Sequence, residues 1–348
     1  LLIFPFIWSF PLCEMVGELG SIFPNEGGVY AWGRAAFGEF WGWQVGWWSG
    51  ASTWVCQAQY TALVAGYAAK IIELTPSQEY MIKIGVVVVF TIINIIGLDW
   101  LEKLETVFNV AVFVAFAAVA VVGFMNWHYN PIEPFCNPEI GMFSSAGEGV
   151  AIIIWMYCGY ECISNMGGEV KNPQVIPKGL MIAMPLVALT YILPTLGGLA
   201  SLPAGSWEFW STDGGFSGES IGYATILTTH LGQAWGYVFL VVAIVSQCAI
   251  FNTYLASGSR GFFVLADDHL CPPVLVKVSR SKGVPWVGIL SLAVITYILA
   301  QSSFTTLVSM EVVFMLALYI ILPVSVVKLR RRIPVDERKK RGLYVMPG

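Results

Sequence analysis

The stretch from Ile152 to Pro177, IIIWMYCGYECISNMGGEVKNPQVIP, decides how the chain is read. It opens as an apolar helix, then sets Gly159 and the carboxylate of Glu161 where the middle of a membrane span belongs. Gly167 and Gly168 follow, and then the charged turn Glu169-Val170-Lys171-Asn172-Pro173. An ionised carboxylate deep in hydrocarbon is costly and usually faces a cavity or a partner. A helix breaks inside a bilayer only where its freed N–H and C=O groups line protein or water. Gly beside Glu in one apolar span therefore points to a discontinuous helix at a binding site. The competing reading is a packing glycine, with a Glu bonded to a neighbouring helix.

Composition sets the class. Of the 348 residues, 57% are apolar and only 11% charged, and the mean hydropathy is +0.71. A soluble domain carries about a quarter charged residues, so this is an all-α polytopic membrane protein. The seven cysteines form no CxxC pair and no His/Cys cluster of ligand spacing. Neither a disulfide framework nor a metal is implied, and the pattern calls for no cofactor and no nucleic acid. Cys13, Cys56, Cys158, Cys162 and Cys248 lie in apolar runs, whereas Cys136 and Cys271 lie in loops.

Nine spans are predicted, at 1–19, 41–69, 82–98, 106–125, 149–166, 179–201, 235–256, 284–301 and 305–327. Each is close to the ~20 residues a helix needs to cross. Positive charge alternates between the loops, and one face collects 16 of the 18 Lys and Arg, including the basic segment 328–348. By the positive-inside rule that face is cytoplasmic. Leu1 then falls on the outer side, and the expectation is one transmembrane domain, 1–348, that lacks a preceding span. Gly38, Gly42, Gly46 and Gly50 recur every four residues, a spacing that lets another backbone approach one helix face. The run Ser257–Leu270 reads as a helix continuing along the cytoplasmic interface, stopped by Pro272-Pro273. The loops 126–148 and 203–221 read as outer coverings.

Enzyme chemistry finds little support. His128, His230 and His269 all sit at interfaces or in loops, so no span offers a histidine base or a haem-ligand pair. A channel remains an alternative, although nothing repeats as filter residues would. Transport accounts for more of the polar groups in the spans: Glu14, Glu18, Glu161 and Glu311, with Gln57, Gln59, Asn94, Gln247 and Asn252. Glu18 reads as a structural anchor near a turn, and Glu311 as a packing partner.

These residues resemble a known family, the amino acid–polyamine–organocation permeases. Glu18-Leu19-Gly20-Ser21-Ile22-Phe23-Pro24-Asn25-Glu26-Gly27-Gly28-Val29-Tyr30 is similar to its second helix and the following turn. Gly159-Tyr160-Glu161 with Glu169-Val170-Lys171-Asn172-Pro173 resembles its sixth helix and exit. Ser259-Arg260 through Asp267-Asp268-His269 and Pro272 resembles the segment after its eighth, with His269 where Gly is usual. The resemblance implies a five-plus-five inverted-repeat core of the LeuT type, represented here from the second to the tenth helix. It also implies alternating access in a plasma membrane, with substrate held at broken helices whose dipole ends suit charged groups.

On that resemblance, substrate would meet Tyr157, Cys158, Gly159, Tyr160 and Glu161, with Gln57 and Asn252 alongside. Trp155 and Tyr254 match aromatics that close over substrate in some members, and Glu161 is the coupling residue, with the proton as its ion. Two features depart from family patterns. Val107 to Met125 holds no Lys, which in some members replaces a sodium ion. Phe6-Ile7-Trp8-Ser9-Phe10-Pro11 and Phe40-Trp41-Gly42-Trp43-Gln44 resemble the polyamine-uptake branch, yet the acid which that branch tends to place near Cys56 is absent. The expected cargo is an amino acid, moved by proton coupling or exchange, with a polyamine as the alternative.

Overall fold

The computed structural model describes residues 2–24, 27–97, 101–133, 141–170, 172, 174–203, 222–279, 283–340 and 343–346. Of the features predicted above, Leu1, Asn25, Glu26, Lys171, Pro173, Cys136, Arg280, Lys282, Arg341 and positions 204–221 lie outside the described residues, as do the side chains of Lys103 and Glu169. Among the described residues every regular element is helical.

A π-helical turn, Pro5–Ser9, leads into α1 (Phe10–Ile22). The short helix α2 (Gly28–Phe37) is divided from α3 (Glu39–Ile71) by Gly38 at φ +93°, a backbone angle that L side chains rarely adopt. Helix α4 (Pro76–Ile96) starts at a capping box: the Thr75 hydroxyl accepts from the Gln78 N–H, and Gln78 Oε1 accepts from the Thr75 N–H. Pro76 sits in its first turn, where a missing N–H costs nothing. Then follow α5 (Leu101–Met125), α6 (Gly141–Met156), a 3₁₀ segment (Tyr160–Glu169) and α7 (Val175–Ser201). The chain continues with α8 (Gly222–Leu231), α9 (Gln233–Asp267), α10 (Trp286–Leu299), α11 (Phe304–Arg332) and α12 (Val335–Lys340).

Among the described residues six helical stretches are long and apolar enough to cross a membrane, one of them (Gly141–Asn165) running through the end of α6 into the segment beyond it, rather than all nine predicted spans. The other three fall short for different reasons. The 1–19 region divides between the π turn and the 13-residue α1, and α10 has only 14 residues. Helix α3 has 33 residues but is too polar. Its polar side chains are enclosed: Ser52, Thr53, Gln57, Gln59 and Thr61 are all buried. Helix α3 packs against α2, α4, α9, α10 and α11, so it faces protein where its neighbours face lipid. Apolarity marks lipid-facing helices, and the central helix escapes that signal.

The glycine series divides the same way. Cβ atoms added at Gly42, Gly46 and Gly50 would run into Arg34, Leu265 and Phe262, so these three give α2 and α9 close approach to α3. Gly38 has open space around it and serves as the turn between helices instead. The run Ser257–Asp267 is helical, as its sequence leads one to expect. It continues α9 without interruption, and Ser257, Gly258, Ser259 and Phe262 are buried. Where this helix ends, Asp268 accepts from the Tyr30 hydroxyl (2.6 Å) and pairs with Arg34 (2.7 Å). Burial pulls the Asp268 carboxyl up, but those two partners outweigh it and hold it below the ordinary carboxylate range. The clasp is therefore fully formed at neutral pH and loosens only as pH falls through that lowered value.

The basic segment from 328 is helix as far as Arg332, followed by α12. Its organiser is Glu18 of α1, whose side chain is wholly buried. Arg330 donates to it twice, from Nε (2.8 Å) and Nη2 (2.6 Å), Arg338 adds a further ion pair, and the Met346 N–H donates at 2.9 Å. Tyr344 donates to Glu14 beside it. The side chain of Arg338 is itself 0% exposed, so the last turns are drawn into the body by one acid. Removing one member of a buried, paired charge costs about 3–5 kcal/mol, because its partners are left uncompensated. Glu18→Ala should therefore destabilise the detergent-solubilised protein by that order and open the chain after Arg338 to trypsin. A thermal melt with limited proteolysis checks this, and an unchanged melt with an intact tail refutes the anchor.

Candidate functional site

Helix α6 stops at Met156, and the chain resumes as a helix only at Tyr160. Gly159 makes this possible, standing at φ +98°, ψ −10°. A Cβ there would also overlap the hydroxyl of Tyr254 from α9, so both the backbone angle and the close approach require glycine. Beyond it the chain is wound as 3₁₀ for ten residues, where runs longer than three or four are uncommon. This tight segment hangs from α9: the Ser257 hydroxyl donates to the Cys162 carbonyl (3.1 Å), and Asn165 Nδ2 donates to Ser257 Oγ (3.4 Å).

Glu161 turns back on the break that precedes it. Its Oε2 accepts from the Gly159 N–H (3.2 Å) and from the Tyr319 hydroxyl of α11 (2.9 Å). The residue is 2% exposed, and among the described residues no Lys or Arg pairs with it. The carboxyl thus satisfies a backbone donor freed by the break and ties the break to α11. Tyr160 stacks on the Tyr319 ring with centroids 6.5 Å apart, and its own hydroxyl has no hydrogen-bond partner among the described residues. Tyr157 is buried edge-on against Tyr191 of α7, likewise with an unpartnered hydroxyl. Cys158 donates to the Trp155 carbonyl (3.0 Å) and lies 3.9 Å from Glu311 Oε1.

The two aromatics are held differently. Trp155 Nε1 donates to Gln59 Oε1 (2.6 Å), and its ring meets Phe304 edge-on at 5.4 Å. Tyr254 packs on Tyr60 of α3 at 5.5 Å, with its hydroxyl over Gly159. Gln57 and Asn252 point elsewhere. Gln57 accepts from Thr296 of α10 (2.6 Å), and Asn252 accepts from Asn94 of α4 (2.7 Å). Asn252 lies two residues from Tyr254, about 200° around the same helix.

The structure brings three residues to the break that the sequence reading set aside: Gln59, Tyr319 and Glu311. Ser52, Cys56 and Gln59 recur at i, i+4 and i+7 on α3, the spacing of one helix face. The Ser52 hydroxyl donates to Glu311 Oε1 (3.4 Å), and Cys56 and Gln59 lie beside that carboxyl. That spacing was the available signal for Gln59 over Gln57. Among the described residues no group of His, Cys, Asp and Glu has the arrangement of a metal site. The region gathers two carboxyls and several hydrogen-bonding side chains among aromatic rings.

Comparison with known proteins agrees with this architecture. Polyamine transporter RMV1 of Arabidopsis thaliana is 28% identical over 97% of the chain and 67% of its own length. Polyamine transporter PUT1 of rice is 28% identical over 89% of the chain and 56% of its own length. Branched-chain amino acid permease BcaP of Lactococcus lactis is 23% identical over 95% and 73%. The chain thus spans about two thirds or less of the length of these plant relatives. The family model for amino acid permeases matches residues 1–347. By that match, the chain belongs to the amino acid permease family.

Proposed function

We propose that this chain forms the body of a secondary transporter that carries a small amine-bearing solute by alternating access, with its cargo site at the break between α6 and the 3₁₀ segment. The observation that carries this reading is a buried acid, Glu161, without a cationic partner among the described residues, folded back on a helix break. Free backbone dipoles and an enclosed carboxyl together suit a ligand bearing both charge and hydrogen-bond donors. The names of the relatives support an amino acid or a polyamine as cargo. The reading places the basic C-terminal segment at the cytoplasm by the positive-inside rule, and the protein in the plasma membrane. Trp155 and Tyr254 are the closing aromatics, acting by contact area and exclusion of water.

Coupling is assigned to Glu161 and the proton. Its hydrogen bonds to Gly159 and Tyr319 hold the break closed. A proton gained there changes how firmly the acid grips these groups and how well it receives a cargo amine. One residue thereby links access to load.

Three outcomes are expected for the full-length protein in proteoliposomes. Gly159→Leu should reach the membrane but lose uptake by about tenfold or more, because a branched residue adopts φ near +98° only with strain; normal uptake would reduce the break to a packing feature. Glu161→Gln keeps the size of the side chain and cannot titrate. Its uptake should become insensitive to pH, while exchange of cargo for cargo continues. Full, pH-dependent accumulation in that variant would move the coupling elsewhere. Uptake by the unaltered protein should saturate with cargo concentration; unsaturable flux with unitary currents would mark a channel instead.

A further inference from the structure

Glu311 is the second buried carboxyl at the break, and its bonding is incomplete. Helix α11 places it 0% exposed. Its Oε1 takes long contacts from Ser52 (3.4 Å) and Cys158 (3.9 Å), and Cys56 and Gln59 lie beside the carboxyl. Its Oε2 has no hydrogen-bond partner among the described residues, and the amide nitrogen of nearby Gln59 has none either. No described Lys or Arg reaches it. Buried polar atoms in native proteins are nearly always paired, and each exception calls for a reason. The contrast with Glu18 is sharp, since that equally buried acid has two Arg and a backbone N–H.

A carboxyl buried without a partner is stable if it stays protonated or if a cation arrives with a ligand. Cys158 ties the alternatives to the break, since its thiol faces Glu311 while its backbone adjoins Gly159. We propose that Glu311 is a specificity-determining residue: its free Oε2 receives an alkylammonium group of the cargo, so the chain selects solutes with an amine on a flexible carbon chain over neutral ones. This rests on the break as the cargo site and adds a second anionic post beside Glu161. An ammonium donates three hydrogen bonds, and Ser52 is held on the same carboxyl through its other oxygen, Oε1 (3.4 Å). The chemistry is shared by a diamine and by an amino acid with a basic side chain. A site built to pair one group rejects analogues that lack it far more strongly than an apolar pocket rejects one methylene.

The test uses the full-length protein in proteoliposomes with labelled putrescine, lysine and leucine. Glu311→Gln should lower kcat/KM for the cationic cargo about 10- to 100-fold and leave leucine within about twofold, with Glu311→Asp intermediate. Loss confined to putrescine would name a diamine, and loss for both cations would name the shared ammonium. An unchanged ratio of cation to leucine in Glu311→Gln overturns the assignment. Gly159→Leu, run in parallel, separates this from the underlying reading: its loss of all uptake beside an unchanged Glu311→Gln ratio leaves the break standing and removes only Glu311. A readout on the unaltered protein covers the case in which the variants misfold. Putrescine, but not butanediol, should slow alkylation of Cys158 followed by peptide mass spectrometry. Equal rates with both would refute an ammonium beside that thiol.

Discussion

The structure depends on one constraint: a helix interrupted inside a membrane protein must have its freed backbone groups satisfied by protein or water. At Gly159 the answer is local. The N–H exposed by the break donates to Glu161, two residues on, and the same oxygen takes the Tyr319 hydroxyl from α11. An acid that would be prohibitive in lipid thereby becomes the acceptor that the break requires. The surrounding helices follow from this, because the break and its acid must be kept from hydrocarbon on every side. Helix α9 supplies Tyr254 and Ser257, α11 supplies Tyr319 and Glu311, and α3 supplies Ser52 and Gln59.

Helix α3 shows what enclosing such a site requires. It is the longest of the polar helices, and its Gln, Ser and Thr side chains are affordable only because other helices surround it. Three glycines on one face let α2 and α9 approach its backbone, which brings Phe262 and Leu265 within contact of the helix itself. Close approach of backbones is the means by which membrane helices associate when lipid is as apolar as their side chains. The polarity that removes α3 from the lipid-crossing class and the small residues that bury it are two parts of one arrangement.

Much of this was legible in the sequence, and the losses have a common cause. The all-helical membrane class, the break at Gly159 and the packing role of the glycines follow from local composition and spacing. So does the family, since its motifs are local too. What sequence reading missed depends on which way a helix is turned. Gln57 and Gln59 are two residues apart, yet one meets Thr296 and the other Trp155. Asn252 and Tyr254 part in the same way, toward Asn94 and toward the break. The neighbours of Glu311 were hidden in the same way, since nothing near it in the chain reveals that Ser52 and Cys158 lie across from it. The buried tail was beyond reach for the same reason, since Arg338 meets an acid 320 residues away.

Three buried acids in one chain, Glu18, Glu161 and Glu311, meet the same solvent-free surroundings with different degrees of pairing. Glu18 is saturated by two guanidinium groups and a backbone N–H, and such a cluster gains nothing by moving. Glu161 is held by two neutral donors, which keep it in place without neutralising a charge. Glu311 keeps one oxygen without a hydrogen-bond partner among the described residues. Stability alone favours the first condition, because unpaired buried groups cost more than any gain from burying them. A fold that saturates one acid at its edge while leaving two at its centre without cations has placed its unmet bonding capacity where α6 breaks. That gradient, from a sealed anchor to an open acceptor, is the physical basis for reading the edge as scaffold and the centre as the working part.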